Sequence, residues 1–399
     1  MSLELEIYAP VNVPINWQSE QIAESEQRYL LLKKYFSKIE GLEIEPNDWP
    51  MGYGSLEHDN LSELYQPAAI FKITDLTQEP DISHASLYVY DSCLAVLNLG
   101  LSVDADLNNI DDLAISQRVD QLSIEYLAPI LKLIYVLKTE APMIQPSAYR
   151  FFNSDQEELT CAKPLWVARM LKKNQNLTPA HYLNWLKNVD IESESLHLGS
   201  GNSLLLQEEH YSDVHRIMVM SQFHAALMGR IEDLLKDNLK KLNSHYYNKT
   251  PVKSLSSNVT NQQYRNDHIE YINIQVSAAE AGVQGKRREL FQQFSQAWGF
   301  DEQRERVTKL TGLTQSRLDR LAQEKLRQQN KVIQTLLTFL GTLGLLSLVI
   351  DLISIGNTTP HADSMGVLDF IQLLSAEHIL NITFMFVILL TLYFYKNHE

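Results

Sequence analysis

The segment Val332–Ile355, VIQTLLTFLGTLGLLSLVIDLISI, constrains this chain more than any other: the whole run carries a single charge, Asp351. A helix of that length spans roughly 36 Å, enough to cross a ~30 Å hydrocarbon core. A second run, Ile379–Tyr395 (ILNITFMFVILLTLYFY), has no charge and lies at the short end of the spanning range. Both are expected to span a membrane, the alternative for each being a buried core helix. The mean hydropathy of −0.20 conceals these two runs, because everything before Val332 reads as a water-soluble body.

Positive charge sets the expected orientation. Lys325, Arg327 and Lys331 precede the first span and Lys396 follows the second, whereas the intervening stretch has no Lys or Arg but carries Asp363, Asp369 and Glu377. The excess of positive charge on cytoplasmic flanks then places both termini in the cytoplasm and the connection outside. The first residues, MSLELEIYAPVNV, have neither a basic region nor a long apolar run, so no signal peptide is expected.

The chain of 399 residues is too long for one ordinary core. Its net charge is −15, but the charge is uneven: residues 1–285 carry −16, residues 286–331 carry +5, and residues 332–399 carry −4. The overall sign argues against direct nucleic-acid binding, which needs clustered Lys and Arg. The basic segment next to the first span suits anionic headgroups. Two cysteines, Cys93 and Cys161, exclude a disulfide scaffold or a cysteine-based zinc module.

The expected fold class is an α+β cytoplasmic domain followed by a long helical stalk and two C-terminal transmembrane helices. The boundaries are 1–206 for the α/β domain, 207–331 for the stalk, 332–355 and 379–395 for the spans, 356–378 for the outer connection, and 396–399 for a cytoplasmic tail. Alternation predicts strands at Leu3–Ile7, Ala69–Thr74, Ser86–Tyr90 and Leu94–Val103, with Asp91-Ser92 as a hairpin turn. Helices are expected near Gln21–Ile39 and Ile115–Lys138, the latter kinked by Pro129. Trp166–Lys173 and Pro179–Lys187 have helical periodicity, and Gly199-Ser-Gly-Asn202 reads as a turn between two short strands. A phosphate cradle is the functional alternative for that turn, although it lacks a following helix and a P-loop lysine.

Beyond Gln207 helices are expected at Tyr211–Tyr247 and Asn266–Ala297, separated by a polar linker, Asn248–Gln263. Asp301 is a candidate N-cap, and no strong breaker follows until Gly356, so residues 301–355 should form one rod. Leu310, Leu313, Leu318, Leu321 and Leu326 have imperfect heptad spacing, which suggests a packed stalk instead of a two-stranded coiled coil.

Within the first span, Asn330, Gln334, Thr338 and Gly341 share one helical sector, continued outward by Leu345, Leu348 and Leu352. Several copies around an axis would present polar rings and an apolar constriction, so these four are the candidate pore-lining residues. The alternative is that they pack the two helices together, with Gly341 and Gly344 allowing close approach. Asp351 is either a pore ring or an interfacial anchor. His361, Asp363, Asp369 and Glu377 would concentrate cations at a pore mouth, and Met365–Leu374 is apolar enough for an interfacial helix. His210 and His215 have poor metal-ligand spacing and are expected to be structural. No nucleophile–base set, Walker motif or HExxH motif is present, so no enzyme activity and no cofactor are expected.

The stretch TGLTQSRLDRLAQEKLRQQNKVIQTLLTFLGTLGLLSLVID, ending at Asp351, resembles the CorA family of divalent-cation channels and transporters: a Leu/Arg-rich stalk enters a Thr-rich span through an Asn-Lys junction. The resemblance implies a homopentamer in a bacterial cytoplasmic membrane, with the first span lining the pore and magnesium or a similar cation as substrate or regulator. The family's Gly-Met-Asn signature is degenerate here: Gly356 and Asn357 are adjacent, with no Met between them. With Asp351, they are the candidate outer-mouth residues. Divergent CorA-like proteins also act as membrane effectors of type III CRISPR antiviral defence, activated by a nucleotide second messenger, and this chain resembles them in lacking the signature. Three functions are therefore in view: a divalent-cation channel, a messenger-gated effector, and a non-conducting membrane scaffold. Expected partners are further copies of the chain, the lipid bilayer and, for the second function, a nucleotide.

Overall fold

The computed structural model describes residues 2–17, 25–49, 61–104, 112–144, 155–172, 179–186, 196–199, 201–248, 252–358 and 376–397. It divides into two compact units: Met1–Lys249 with Thr260–Gln315, and Thr250–Val259 with Ser316–Glu399.

The first unit is built on β1 (Ser2–Asn12), the centre of an eight-stranded sheet. The other strands are β2 (Leu42–Glu45), β3 (Ala69–Ile73), β4 (Ile82–Val89), β5 (Leu94–Asp104), β6 (Ala168–Lys172), β7 (Leu196–Leu198) and β8 (Asn202–Leu205), in the order β2-β3-β4-β5-β1-β6-β8-β7. Only β6 and β8 pair in parallel. β1 pairs along its whole length with β5, and Leu5 lies opposite Leu101 on one side and Leu171 on the other.

Alternation along β1 sends Leu3, Leu5, Ile7, Ala9 and Val11 into one core. That core is closed by α1 (Ser25–Phe36), α2 (Asp112–Leu122) and α3 (Ala128–Val136), through residues such as Phe36, Val119 and Leu131. Two short helices, α4 (Gln156–Thr160) and α5 (Pro179–Trp185), follow. The opposite face is also covered. Tyr8, Tyr88, Tyr90, Val96 and Met170 meet a second core supplied by α6 (Tyr211–Asn248), α7 (Val252–Gly282), α8 (Gly285–Trp298) and the start of α9 (Phe300–Thr358). The expected α+β class is thus an N-terminal sheet domain followed by a helical region, with the first long helices belonging to the sheet's own compact unit.

Turn chemistry explains several boundaries. Ser92 and Cys93 both hold positive φ between β4 and β5, as primed hairpin turns require. Pro129 cannot donate to a carbonyl one turn back, and a π-turn at Ser123–Leu127 separates α2 from α3 just before it. Gly299 ends α8 in the left-handed region, its N–H donating to the Ser295 carbonyl.

Four expectations are corrected. Trp166–Lys173 is not helical: Ala168–Lys172 forms β6. Ala, Arg, Met, Leu and Lys are good helix formers, but pairing with β1 and β8 overrides propensity here. The stretch Asn248–Gln263 is largely helix, because α7 begins at Val252, directly after Pro251 in the sequence. Proline is a good start signal for a helix as well as a breaker. Asn266–Ala297 is two helices, interrupted between Gly282 and Gly285. Asp301 lies inside the first turn of α9, where its carboxylate complements the positive end of the helix, and not at the N-cap.

α9 is one unbroken rod as expected, but it does not stop at Gly356: the helix runs on through it to Thr358, and α10 spans Ala376–Asn397.

Candidate functional site

The residues singled out for a pore all lie on α9, so one chain does not gather them. Asn330 and Gly341 are about 16 Å apart along the axis, and Asn330 and Asn357 about 40 Å. Asn330, Gln334 and Asp351 are exposed, and Thr338 is half-buried. Gly356 and Asn357 fall in the last turn of α9. A Cβ added at Gly341 or Gly344 would meet nothing within 4 Å, so packing within the chain does not require either glycine. Thr342, adjacent to the predicted sector, is the span's buried polar side chain, 3% exposed, with its hydroxyl donating to the Phe339 carbonyl. The stretch containing His361, Asp363, Asp369 and Met365–Leu374 lies outside the described residues, and Glu377 is exposed in α10.

α9 is the one described helix long and apolar enough to cross a membrane, and only 6% of its apolar window is buried. The apolar stretch of α10 within the described residues is shorter, Glu377–Leu389. Leu336, Leu337, Leu340, Phe384, Met385 and Leu389 are all more than half exposed, so neither helix supplies the other with a full apolar environment.

The sheet unit holds a polar cluster that sequence inspection did not single out. Glu4 and Glu6 alternate with Leu3, Leu5 and Ile7, which reads as a wetted strand face, yet Glu6 is 5% exposed. Its carboxylate accepts from Lys172 Nζ at 2.8 Å and Asn98 Nδ2 at 3.2 Å, and lies 3.2 Å from His84 Nε2. Burial works to raise the Glu6 pKa, but the bonds from His84 and Lys172 outweigh it and hold the value at about 2. The same bond raises the pKa of His84 against the opposing effect of burial.

The backbone is shaped for this arrangement. The β4–β5 register shifts between Ile82 and His84, and a Cβ on Gly100 would stand 2.1 Å from Ser83 Oγ and 2.5 Å from His84 Nδ1. A bulge re-aims a side chain, and glycine opposite gives it room. The resulting cavity, about 290 Å³, is lined by Glu4, Glu6, Ser83, His84, Lys172 and Tyr211, among others. Lys172 Nζ sits 4.0 Å from the centroid of the Tyr211 ring. Farther in, His215 lies between the Tyr8 and Tyr88 hydroxyls at 2.9 and 2.8 Å, in the structural role expected for it. Burial lowers its pKa to about 4, so it stays neutral near pH 7.

A separate cleft of about 530 Å³ lies where β6, the β7–β8 turn, α6, α8 and α9 meet in the same unit. Trp166, Trp298 and Phe300 give it aromatic walls, and Gly199, Gly201, Gln222 and Gln303 supply polar edges. Trp166 Nε1 donates to Gln222 Oε1 at 2.5 Å, and Trp298 Nε1 to the Gly199 carbonyl at 3.2 Å. Gln222 is 1% exposed, and its amide nitrogen donates to the Met218 sulfur at 3.7 Å. No charged side chain lines this cleft among the described residues, but a Cβ on Gly201 would stand 3.6 Å from Arg169 Nη2, so a cation borders the glycine edge. β7 and β8 pair antiparallel on either side of the glycine turn, and Gly201 sits at φ +87°. Among the described residues no group of three or more His, Cys, Asp or Glu could hold a metal ion.

Comparison with family models, curated proteins and solved structures finds no match.

Proposed function

We propose that this chain is a CorA-like subunit of an oligomeric membrane channel for divalent cations such as magnesium, assembled as a homopentamer with both termini cytoplasmic. The observation that carries the reading is the exposure of α9: its apolar window is 6% buried, and it is continuous with a basic segment. A bilayer around the chain and further copies beside it would cover that surface. Asn330, Gln334, Thr338 and Gly341 would then line the inner pore, with Asp351, Gly356 and Asn357 near its outer mouth. The glycines that packing within the chain leaves unexplained would allow copies to approach closely.

Magnesium flux into liposomes carrying the purified protein tests this reading. Gln334→Leu should alter flux and leave the oligomer intact. A monomer or dimer in mild detergent would favour the scaffold and remove the pore.

The aromatic cleft favours a second reading, the nucleotide-gated effector. Its Trp and Phe walls suit a planar base, and its uncharged Gln and backbone edges suit a base's hydrogen-bonding rim. Flux that is silent until a nucleotide is added, and that Trp166→Ala silences again, is the result expected on this reading. Flux without nucleotide returns the protein to the first.

A further inference from the structure

We propose that Glu6, His84 and Lys172 form a proton-operated clamp that fastens β1 to β4 and β6 and, through Tyr211, fastens the start of α6 to the sheet.

The clamp draws its parts from four elements. Glu6 comes from β1, His84 from β4, Lys172 from β6, and Tyr211 is the first residue of α6. Glu6 bonds both cations, and Lys172 lies over the Tyr211 ring. A change of charge at His84 therefore reaches the sheet and the helix together.

Ser83 equips the site for both forms of His84. Ser83 Oγ lies 3.2 Å from His84 Nδ1 and 3.4 Å from the Gly100 carbonyl. When the imidazole is neutral with its proton on Nε2, the Ser83 hydroxyl donates to Nδ1. When the imidazole is charged, Nδ1–H donates to Ser83 Oγ and the hydroxyl proton turns to the Gly100 carbonyl. Nε2–H faces Glu6 and the Asn98 Oδ1, at 3.1 Å, in both states. Rotation of one hydroxyl is all that the change requires, so no buried polar atom is left unpaired in either form. The His84 side chain is 39% exposed and the Glu6 side chain 6%, so the proton has an open route while the carboxylate stays sheltered.

The charged and titratable groups around His84 are Glu4 and Glu6 from β1, Lys172 from β6, and Tyr211 and His215 from α6; behind them Tyr8 and Tyr88 hold His215, and Asp48, from the segment after β2, acts on His215 and Tyr88. The neighbouring His215 is neutral near pH 7, and its tyrosine partners have their pKa values raised by burial. Through the neutral range His84 is thus the member of the cluster that changes charge. Its folded-state pKa is raised, so its contribution is complete below the ordinary value of 6.5 and fades as pH rises through the folded value.

The test is hydrogen exchange on the full-length protein in detergent from about pH 6.5 to about pH 8.5, above the range in which the buried His215 and His224 bind protons on unfolding, corrected for intrinsic exchange rates. Protection at β1 and at the first turns of α6 should fall as pH rises, by roughly tenfold per unit of His84 pKa shift. In His84→Asn that dependence should flatten. Ser83→Ala and Glu6→Gln should each lower the pKa of the His84 ring, read from its carbon-bound proton resonance, and both leave the ring in place if the first variant fails to fold. Equal pH dependence in the parent and His84→Asn would overturn the proposal. So would a His84 ring titrating at or below its ordinary value, or loss of protection spread evenly over the sheet unit.

Discussion

The Tyr90 ring lies flat against Phe223, centroids 4.0 Å apart and planes 9° from parallel, joining the end of β4 to the middle of α6. Both rings are fully buried, and Tyr65 packs edge-on against the same Phe223 at 5.4 Å. Phe223→Ala should cost about 3–5 kcal/mol, because it removes a buried ring and leaves a cavity that two fixed aromatics cannot fill. Denaturant unfolding of the purified protein checks this. A loss below about 1 kcal/mol would mean that the second core collapses around the gap.

Acid should destabilise the sheet unit through its buried histidines. Burial depresses His215 from 6.5 to about 4 and His224 from 6.5 to about 3. A group with a depressed folded pKa binds its proton more readily once unfolded, so its contribution is full above 6.5 and declines as pH falls through the folded value. For His215 alone the full effect is on the order of 3 kcal/mol. His84 has the opposite sign, and Glu6 adds its own loss as pH falls from 4.5 through about 2. Stability against pH should therefore peak near His84's titration range and fall on both sides. Calorimetric unfolding across pH reads this directly. Stability that rises steadily from pH ~6 to pH ~4 would contradict the burial of both histidines.

Leu340 is 61% exposed in the middle of the apolar stretch of α9. On the proposed reading of α9 as a membrane span, arginine here costs about 2.5–3.5 kcal/mol of insertion. Leu340→Arg should move protein from the alkali-resistant membrane fraction to the soluble or aggregated fraction. An unchanged distribution would place this face of α9 against water or against protein.

Legibility in the sequence followed how local each cause was. β5 was readable because Leu94–Val103 carries its own alternation and its own hairpin turn. The interruption between α2 and α3 was readable because Pro129 lacks a donor wherever it stands. β6 was not, because nothing inside Ala-Arg-Met-Leu-Lys prefers a strand, and its cause lies in β1 and β8. The Glu6 cluster was hidden for a related reason. Alternation in β1 announces one buried face and says nothing of α6, far along the chain, which covers the other. The available clue was at Tyr8, an aromatic residue on the face that Glu4 and Glu6 mark as polar. The aromatic cleft needs Trp166, Gly199 and Trp298 from three separate segments, and no spacing rule joins them.

The central place of β1 has a consequence for how the chain is made. Leu5 must wait for Leu101 on one side and for Leu171 on the other, so β1 is translated before both strands that flank it. At ~5–20 residues per second, roughly ten to thirty seconds pass between synthesis of β1 and arrival of its second neighbour. During that interval Leu3, Leu5, Ile7 and Val11 form a bare edge that can pair with another nascent chain. The demand on ribosome-associated chaperones should thus be set by the sheet, and should end only once β6 has cleared the exit tunnel, well before the apolar helices are translated.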